Sequence, residues 1–178
     1  VKNMLAETPR EYFTVGIKHE HALEIKSDPD VRMPGSFSMR GHSVGGYGSV
    51  TTNKVIATIA GEVFGMDVQA YPKYGSEKKG LPTTYYLRIA KEHIRVHSEL
   101  EHVEFIPLND VNAFNMENPL TGLADNGMVF VQCNKTKPAE IWQSIPGWAR
   151  KTMIEKNTRL FALDTVKIAK EVSSQADL

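Results

Sequence analysis

Two short stretches of the chain hold residue types that bind anions. The first is His42-Ser43-Val44-Gly45-Gly46-Tyr47-Gly48-Ser49, a glycine-rich turn that opens a segment with helical periodicity. Backbone N–H groups in the first turn of a helix lack intrahelical acceptors and lie at the positive end of its dipole. A glycine turn at that point therefore suits phosphate or carboxylate. The second stretch is Lys73-Tyr74-Gly75-Ser76-Glu77-Lys78-Lys79-Gly80. Its glycines allow close backbone approach, and Lys78 and Lys79 supply positive charge. It follows a candidate strand, and open α/β sheets hold ligands in the loops beyond their strands' carboxyl ends, so it is expected beside the glycine turn. Each stretch also has a plain reading: a tight turn that packs helix on sheet, and a solvated charged loop.

Neither matches a familiar nucleotide cradle. A phosphate loop needs Gly-x4-Gly-Lys-Ser/Thr; Gly41 and Gly46 have that spacing, but Tyr47 stands where lysine must be. A dinucleotide fingerprint needs Gly-x-Gly-x-x-Gly/Ala; Gly46 and Gly48 supply the first two, and Thr51 closes it. The acid that reads the ribose should end the next strand. That end is Tyr71-Pro72-Lys73, and Asp67 lies at the opposite end. Nicotinamide dinucleotide binding is disfavoured on both counts.

Other reactive types are scattered. His19 and His21 lie in a charged N-terminal stretch. His93 and His97 are four apart in a strand-like segment and could share a face, but no third metal ligand accompanies them. His42 lies in the glycine turn without a serine–histidine–aspartate spacing. Asn115-Met116-Glu117-Asn118-Pro119-Leu120 reads as a structural turn. Trp142 and Trp148 flank Pro146-Gly147; exposed they would mark a partner surface, buried they would be core. No catalytic residue and no metal ligand is assigned.

The elements around these stretches read as follows. Residues 1–35 form an extended arm or linker, punctuated by Pro9, Pro29 and Pro34, with short strands at Tyr12–Ile17 and Ala22–Ile25. A strand over Ser36–Gly41 leads into the glycine turn. A helix over Val50–Phe64 follows, with Val55, Ile56, Ile59 and Val63 on one apolar stripe, Ser49 or Thr51 as cap, and Gly65 just past its end. Met66–Tyr71 is the second strand, with a right-handed parallel crossover as the default connection. Strands are expected at Thr83–Ala90, Ile94–His97 and Val103–Leu108. Asn109-Asp110 caps a short helix over Val111–Met116. Asn126-Gly127 turns the chain into an apolar strand at Met128–Cys133. Helices follow at Ala139–Ser144, with Pro138 at its first position, and at Trp148–Lys156. A last strand at Leu160–Leu163 precedes a helix over Thr165–Val172 capped by Asp164. Alternating strands and helices predict an α/β, Rossmann-like three-layer domain over residues 36–178 with a mostly parallel sheet, preceded by the arm.

Composition narrows the function. The chain has 178 residues, 21 basic and 21 acidic, with 41% hydrophobic and 24% charged residues, an ordinary globular balance. Zero net charge disfavours nucleic acid as a partner. No run approaches the roughly 20 apolar residues of a spanning helix, so no membrane span is expected. One cysteine, Cys133, cannot build a disulfide framework, a four-thiolate zinc site or an iron–sulfur cluster within this chain. A lone thiol and no visible secretory signal lead to a cytoplasmic expectation. The chain opens on Val1, which reads as processed, trimmed or excised.

Three segments, in order, resemble a known family. They are Ser43-Val44-Gly45-Gly46-Tyr47-Gly48-Ser49-Val50-Thr51-Thr52-Asn53-Lys54, then Tyr71-Pro72-Lys73-Tyr74-Gly75-Ser76-Glu77-Lys78-Lys79-Gly80, then Pro82-Thr83-Thr84-Tyr85-Tyr86-Leu87. Together they resemble the gamma subunit or gamma domain of the 2-oxoacid:ferredoxin or flavodoxin oxidoreductases, of which pyruvate:ferredoxin oxidoreductase is the best-known member. The resemblance runs from about Ser36 to the C-terminus. It implies a Rossmann-like module in a multisubunit enzyme that oxidatively decarboxylates a 2-oxoacid to an acyl-coenzyme A. It implies that thiamine diphosphate and iron–sulfur clusters sit in partner chains or domains, and that ferredoxin or flavodoxin accepts the electrons. The gamma module is expected to carry none of the redox centres, to serve assembly, and to help hold coenzyme A. Carried over together with electrostatics, the expected ligand residues are Gly45, Gly46, Gly48, Ser49, Lys78 and Lys79. About 35 residues precede the glycine-rich strand, and the C-terminus comes early for the family, so a segment of a larger fused polypeptide is expected. Two alternatives stand beside this reading: a purely structural interaction module, and a freestanding nucleotide-binding enzyme.

Overall fold

A computed structural model describes residues 30–44, 48–74, 82–110, 112–116 and 118–173. The strands expected at Tyr12–Ile17 and Ala22–Ile25, and most of the arm, lie outside the described residues. Over 31–173 the elements run β1 (Phe37–Val44), α1 (Ser49–Thr58, continued by a π-helical turn at Ile59–Val63), β2 (Asp67–Tyr74), β3 (Pro82–Ala90), β4 (Val103–Leu108), α2 (Ala113–Met116), β5 (Leu123–Gln132), α3 (Pro138–Ser144), α4 (Gly147–Glu155), β6 (Arg159–Leu163) and α5 (Thr165–Ser173).

The six described strands form one sheet in the order β2-β3-β1-β4-β5-β6. β1, β4, β5 and β6 pair in parallel, while β3 pairs antiparallel with both β2 and β1. Five strands therefore point one way, as the α/β reading expects, and β3 points the other. β1 and β2 share a direction but are not neighbours, because β3 fills the gap between them. The reason is chain length. Tyr74 pairs with Thr83, and the short link between them closes a hairpin. A parallel return would need a crossover of roughly a dozen residues.

Two clusters fill the two faces. One contains Val103, Ile106, Leu108, Val129 and Val131 under Ile145, Ala149 and Met153 of the α3–α4 segment. The other joins Met39, Tyr85 and Leu87 to Ala57 of α1. Helices thus lie on both faces, but the second layer is incomplete. On the β5–β6 half, Phe161 and Leu163 are each half exposed, and no residue of α5 is buried.

α1 is turned the other way from a simple amphipathic reading. Its apolar stripe faces outward, with Val55 52% and Val63 72% exposed. Ser49, Asn53 and Ala60 face the sheet instead. Small side chains let the helix approach β1 and β3 closely, and Asn53 Nδ2 donates to the Tyr86 carbonyl at 3.0 Å. The cap is Gly48, not Ser49 or Thr51, and no side chain caps this helix. Gly65, at φ +63, ends the π-helical turn as expected.

Two further expectations change. Ile94–His97 is not a strand. Its backbone is satisfied by side chains: Ile94 N–H donates to Asp67 Oδ2 at 2.7 Å, and Arg88 Nη1 donates to the Val96 carbonyl at 3.1 Å. The segment is held instead against the start of β2 and the Arg88 side chain of β3. Asn126-Gly127 is not a turn before a strand but a bulge inside β5. The register against β4 jumps there, from Val103↔Leu123 to Phe105↔Met128. Asn126 sits at φ 59 and Asn157 at φ 50, and Asn157 Nδ2 donates to Asn126 Oδ1 at 2.7 Å. The remaining helices and strands form where expected to within a few residues, with Asp110 Oδ1 accepting from Asn112 N–H at 2.9 Å and Asp164 Oδ1 from Lys167 N–H at 3.0 Å.

Candidate ligand-binding site

The carboxyl ends of β1, β2 and β4 lie along one rim of the sheet. From β1 the chain crosses by α1 to β2 on one side, while β4 lies on the other side of β1 and leads on to β5. A divergence of this kind leaves a crevice at the strand ends, the usual ligand position in open α/β sheets.

The crevice is present. It is a shallow hollow lined by His42, Ser43, Val44, Pro82, Thr83, Asp110 and Ala113, with a cavity volume of about 10 Å³, room for about one water molecule. Its floor is held rigidly. Asn109 N–H donates to the His42 carbonyl at 2.9 Å, tying β4 to the tip of β1. Asn109 Nδ2 donates to Tyr85 Oη at 2.8 Å. The Tyr85 ring lies against Gly41, where a Cβ would stand 1.9 Å from Cζ. Only glycine leaves room for that ring. Burial pushes the Tyr85 phenol up to about 12, against a smaller opposing effect of the Asn109 bond. His42, Ser43 and Thr83 are buried, and Asp110 is half-buried at the mouth.

Gly48 and Ser49 sit at the same rim. Gly48 adopts φ +75 with open space around it, and its carbonyl accepts from Thr52 N–H at 2.9 Å. Ser49 is buried in the first turn of α1, which contains no acidic residue. Gly45, Gly46, Lys78 and Lys79 lie outside the described residues. The strands before the two loops are two places apart in the sheet, about 10 Å at the usual interstrand spacing, rather than side by side. Lys73 belongs to the end of β2 and is engaged: its ammonium contacts Glu99 at 2.6 Å, and Glu99 also accepts from Tyr86 Oη at 2.8 Å. Those two contacts, Lys73 first, hold the Glu99 carboxyl below its usual range.

The other candidates separate from this rim. His93 Nδ1 contacts Asp67 Oδ2 at 2.7 Å at the start of β2, the opposite end of that strand. The Trp148 ring meets Phe114 edge-on at 5.9 Å, and Trp142 packs against the larger core with Arg150 over its ring. Cys133 is buried. Among the described residues no group of three or more His, Cys, Asp or Glu could hold a metal, and no helix is long and apolar enough to cross a membrane. Sequence reasoning did not pick out Tyr85, Thr83, Asn109 or Asp110 as site residues. Asn109 and Asp110 read only as helix caps, and nothing in the linear spacing brings them to His42.

Residues 38–176 match the pyruvate ferredoxin/flavodoxin oxidoreductase family. The chain belongs to that family. It is 31% identical over 174 residues to the pyruvate:ferredoxin oxidoreductase of Moorella thermoacetica, covering 96% of this chain and 15% of that protein. It is 30% identical over 134 residues to the pyruvate/ketoisovalerate oxidoreductases common subunit gamma of Thermococcus litoralis, covering 75% of this chain and 67% of that subunit. The fold is similar to part of a 2-oxoglutarate:ferredoxin oxidoreductase from Magnetococcus marinus solved with 2-oxoglutarate, coenzyme A and succinyl-CoA bound. That similarity has a TM-score of 0.57 and 16% identity and covers 78% of this chain and 22% of the other. The chain thus spans a small part of the Moorella relative and about two thirds of the gamma subunit.

Proposed function

We propose that this chain is the gamma component of a 2-oxoacid:ferredoxin or flavodoxin oxidoreductase that converts pyruvate or a related 2-oxoacid to its acyl-coenzyme A. In this reading it serves assembly and supplies part of the coenzyme A site, and it is inactive alone. Thiamine diphosphate and the iron–sulfur clusters belong to partner chains or domains. The residues here do not fit either group: one buried cysteine cannot ligate a cluster, and no Gly-Asp-Gly thiamine signature occurs in the sequence.

The observation that carries the ligand half of the reading is the start of α1 at the rim of β1. Its first turn carries no acid and no side-chain cap, and a left-handed glycine precedes it. Unpaired N–H groups there suit a diphosphate. Gly45, Gly46, Gly48 and Ser49 would supply the backbone cradle, with Lys78 and Lys79 reaching in from the loop after β2. The assembly half rests on the outward apolar stripe of α1 and on the uncovered β5–β6 face. Apolar patches of this kind mark partner surfaces. They also favour a second reading, a module that serves assembly only.

Calorimetric titration with coenzyme A tests the reading, using the chain in the complex in which it purifies. The wild type should bind, and the Lys78→Ala/Lys79→Ala variant should bind roughly tenfold or more weakly, since charge-assisted bonds to phosphate are among the strong ones. Equal affinity of the two would leave the assembly-only reading. An isolated chain that oxidises a 2-oxoacid unaided would overturn both.

A further inference from the structure

We propose that Asn126 is a deamidation site that the α4–β6 connection guards through Asn157. Asn126-Gly127 is the one Asn-Gly pair in the sequence, and the oxidoreductase reading makes no use of it. The chemistry needs no co-reactant but water. The Gly127 backbone nitrogen attacks Cγ of the Asn126 side chain. A C–N bond forms, the bond from Cγ to Nδ2 breaks, and Nδ2 leaves as ammonia with the proton lost from the Gly127 nitrogen. Water then opens the succinimide at either carbonyl, leaving aspartate or isoaspartate at position 126. Glycine in the following position favours the attack, because it has no side chain to hinder the approach.

The folded chain holds the pair away from that reaction. Asn126 is exposed and left-handed at φ 59, a conformation that asparagine tolerates better than most residues. Three contacts from the connection after α4 fix the Asp125-Asn126 step. Asn157 Nδ2 donates to Asn126 Oδ1 at 2.7 Å, Asn126 N–H donates to the Lys156 carbonyl at 2.7 Å, and Lys156 Nζ contacts Asp125 Oδ1 at 3.5 Å. The connection is anchored in turn to the end of α4. Asn157 N–H donates to the Ile154 carbonyl at 3.0 Å, and Thr158 N–H to the carbonyl of the buried Met153 at 2.8 Å. Attack requires the Asn126 carboxamide to swing onto the nitrogen of Gly127, which is buried in the strand, and the swing carries Oδ1 away from Asn157. The reaction is therefore confined to molecules in which the connection has lifted from β5.

Position makes the modification consequential. β5 lies inside the sheet, between β4 and β6, and its register against β4 jumps at this bulge. Aspartate at position 126 keeps an oxygen for Asn157. Isoaspartate instead routes the backbone through the side chain and adds one carbon to the strand, just before the buried Val129 and Val131. Register decides which face each of those side chains occupies, so a longer backbone there pulls them off the core. The site thus sets a chemical lifetime for the fold, governed by how often one connection opens.

The test follows loss of Asn126 by peptide mass mapping, with the chain in its purified complex, in buffer and in unfolding urea at one pH and temperature. In urea the pair should react freely. In buffer the wild type should react at least about tenfold more slowly, because only open molecules contribute. Asn157→Gly removes the donor and tolerates the left-handed backbone at φ 50. It should raise the rate in buffer about fivefold, the effect of one lost hydrogen bond, and leave the rate in urea unchanged. Asn157→Asp, which replaces the amide donor with a carboxylate oxygen, should act in the same direction, and circular dichroism checks that each variant is folded. The wild-type comparison needs no variant at all. Equal wild-type rates in buffer and in urea, a rate in buffer that neither variant changes, or survival of Asn126 in urea overturns the proposal.

Discussion

Replacing Gly41 by alanine should destabilise the domain and disturb the rim together. A Cβ at Gly41 would lie 1.9 Å from Tyr85 Cζ and 2.3 Å from both Cε2 and Oη. Ordinary contact begins near 3.4 Å, so the ring must retreat by about 1.5 Å. It has little room to do so. Tyr85 is 4% exposed and packs with Met39 and Leu87, and its hydroxyl is held by Asn109. Overpacking a core costs about 1–3 kcal/mol, and losing the Asn109 bond adds about 1 kcal/mol. The expected loss is about 2–4 kcal/mol, or roughly 5–15 °C in Tm for a domain of this size. Urea denaturation followed by circular dichroism measures it. A double-mutant cycle isolates the cause: with Tyr85→Ala in place, adding Gly41→Ala should cost about 2 kcal/mol less than in the wild-type background. A Gly41→Ala variant within about 0.5 kcal/mol of wild type, or strictly additive effects, would refute the reasoning. If the clash is real, coenzyme A binding should weaken with it, because His42 and Asn109 are positioned through the same contact.

Gly122→Ala should be costlier still: the residue sits at φ +71 and its Cβ would meet the Glu101 carbonyl oxygen at 1.7 Å, so a loss above about 3 kcal/mol is expected in the same denaturation assay. Val63→Lys, on the outward face of α1, should leave stability within about 0.5 kcal/mol yet lower the yield of partner chains in co-purification; unchanged yield would count against that stripe as a partner surface. The Tyr85 phenol, ordinarily at 10.0 and raised to about 12 by burial, favours the folded state in its neutral form. Its contribution is whole below pH 10 and is lost as the pH rises from 10 through 12, so Tyr85→Phe should flatten that part of the alkaline unfolding limb. An unaltered limb would contradict the burial argument.

Much of this fold was legible because its signals are local. Pro138 at a helix start, Asp164 as a cap, Gly65 past a helix end and the Thr- and Tyr-rich run of β3 each act over a few residues. The family resemblance was equally local, carried by three segments between Ser43 and Leu87, and the match over residues 38–176 agrees with it. The antiparallel insertion of β3 was also within reach, because the link after Tyr74 is too short for a crossover. Periodicity, in contrast, misled for α1. It finds an apolar stripe but cannot say whether core or partner lies opposite. Close approach of α1 to the sheet selected the small face of Ser49, Asn53 and Ala60, and the stripe was left outside. Ile94–His97 reads as strand by residue type, yet Asp67 and Arg88 satisfy its backbone from outside the segment.

The residue string settled the class of fold, the ordering of most elements and the family. Those properties follow from short-range pattern and from counting. The crevice depended on three-dimensional packing. His42, Thr83 and Asp110 are far apart in the chain and meet because β3 inserts beside β1 while β4 pairs on its other side. The bond from Asn109 to Tyr85, and the glycine that lets Tyr85 lie flat, are likewise products of strand register. Register is fixed by how two faces bury their side chains at once, and no single segment carries that information.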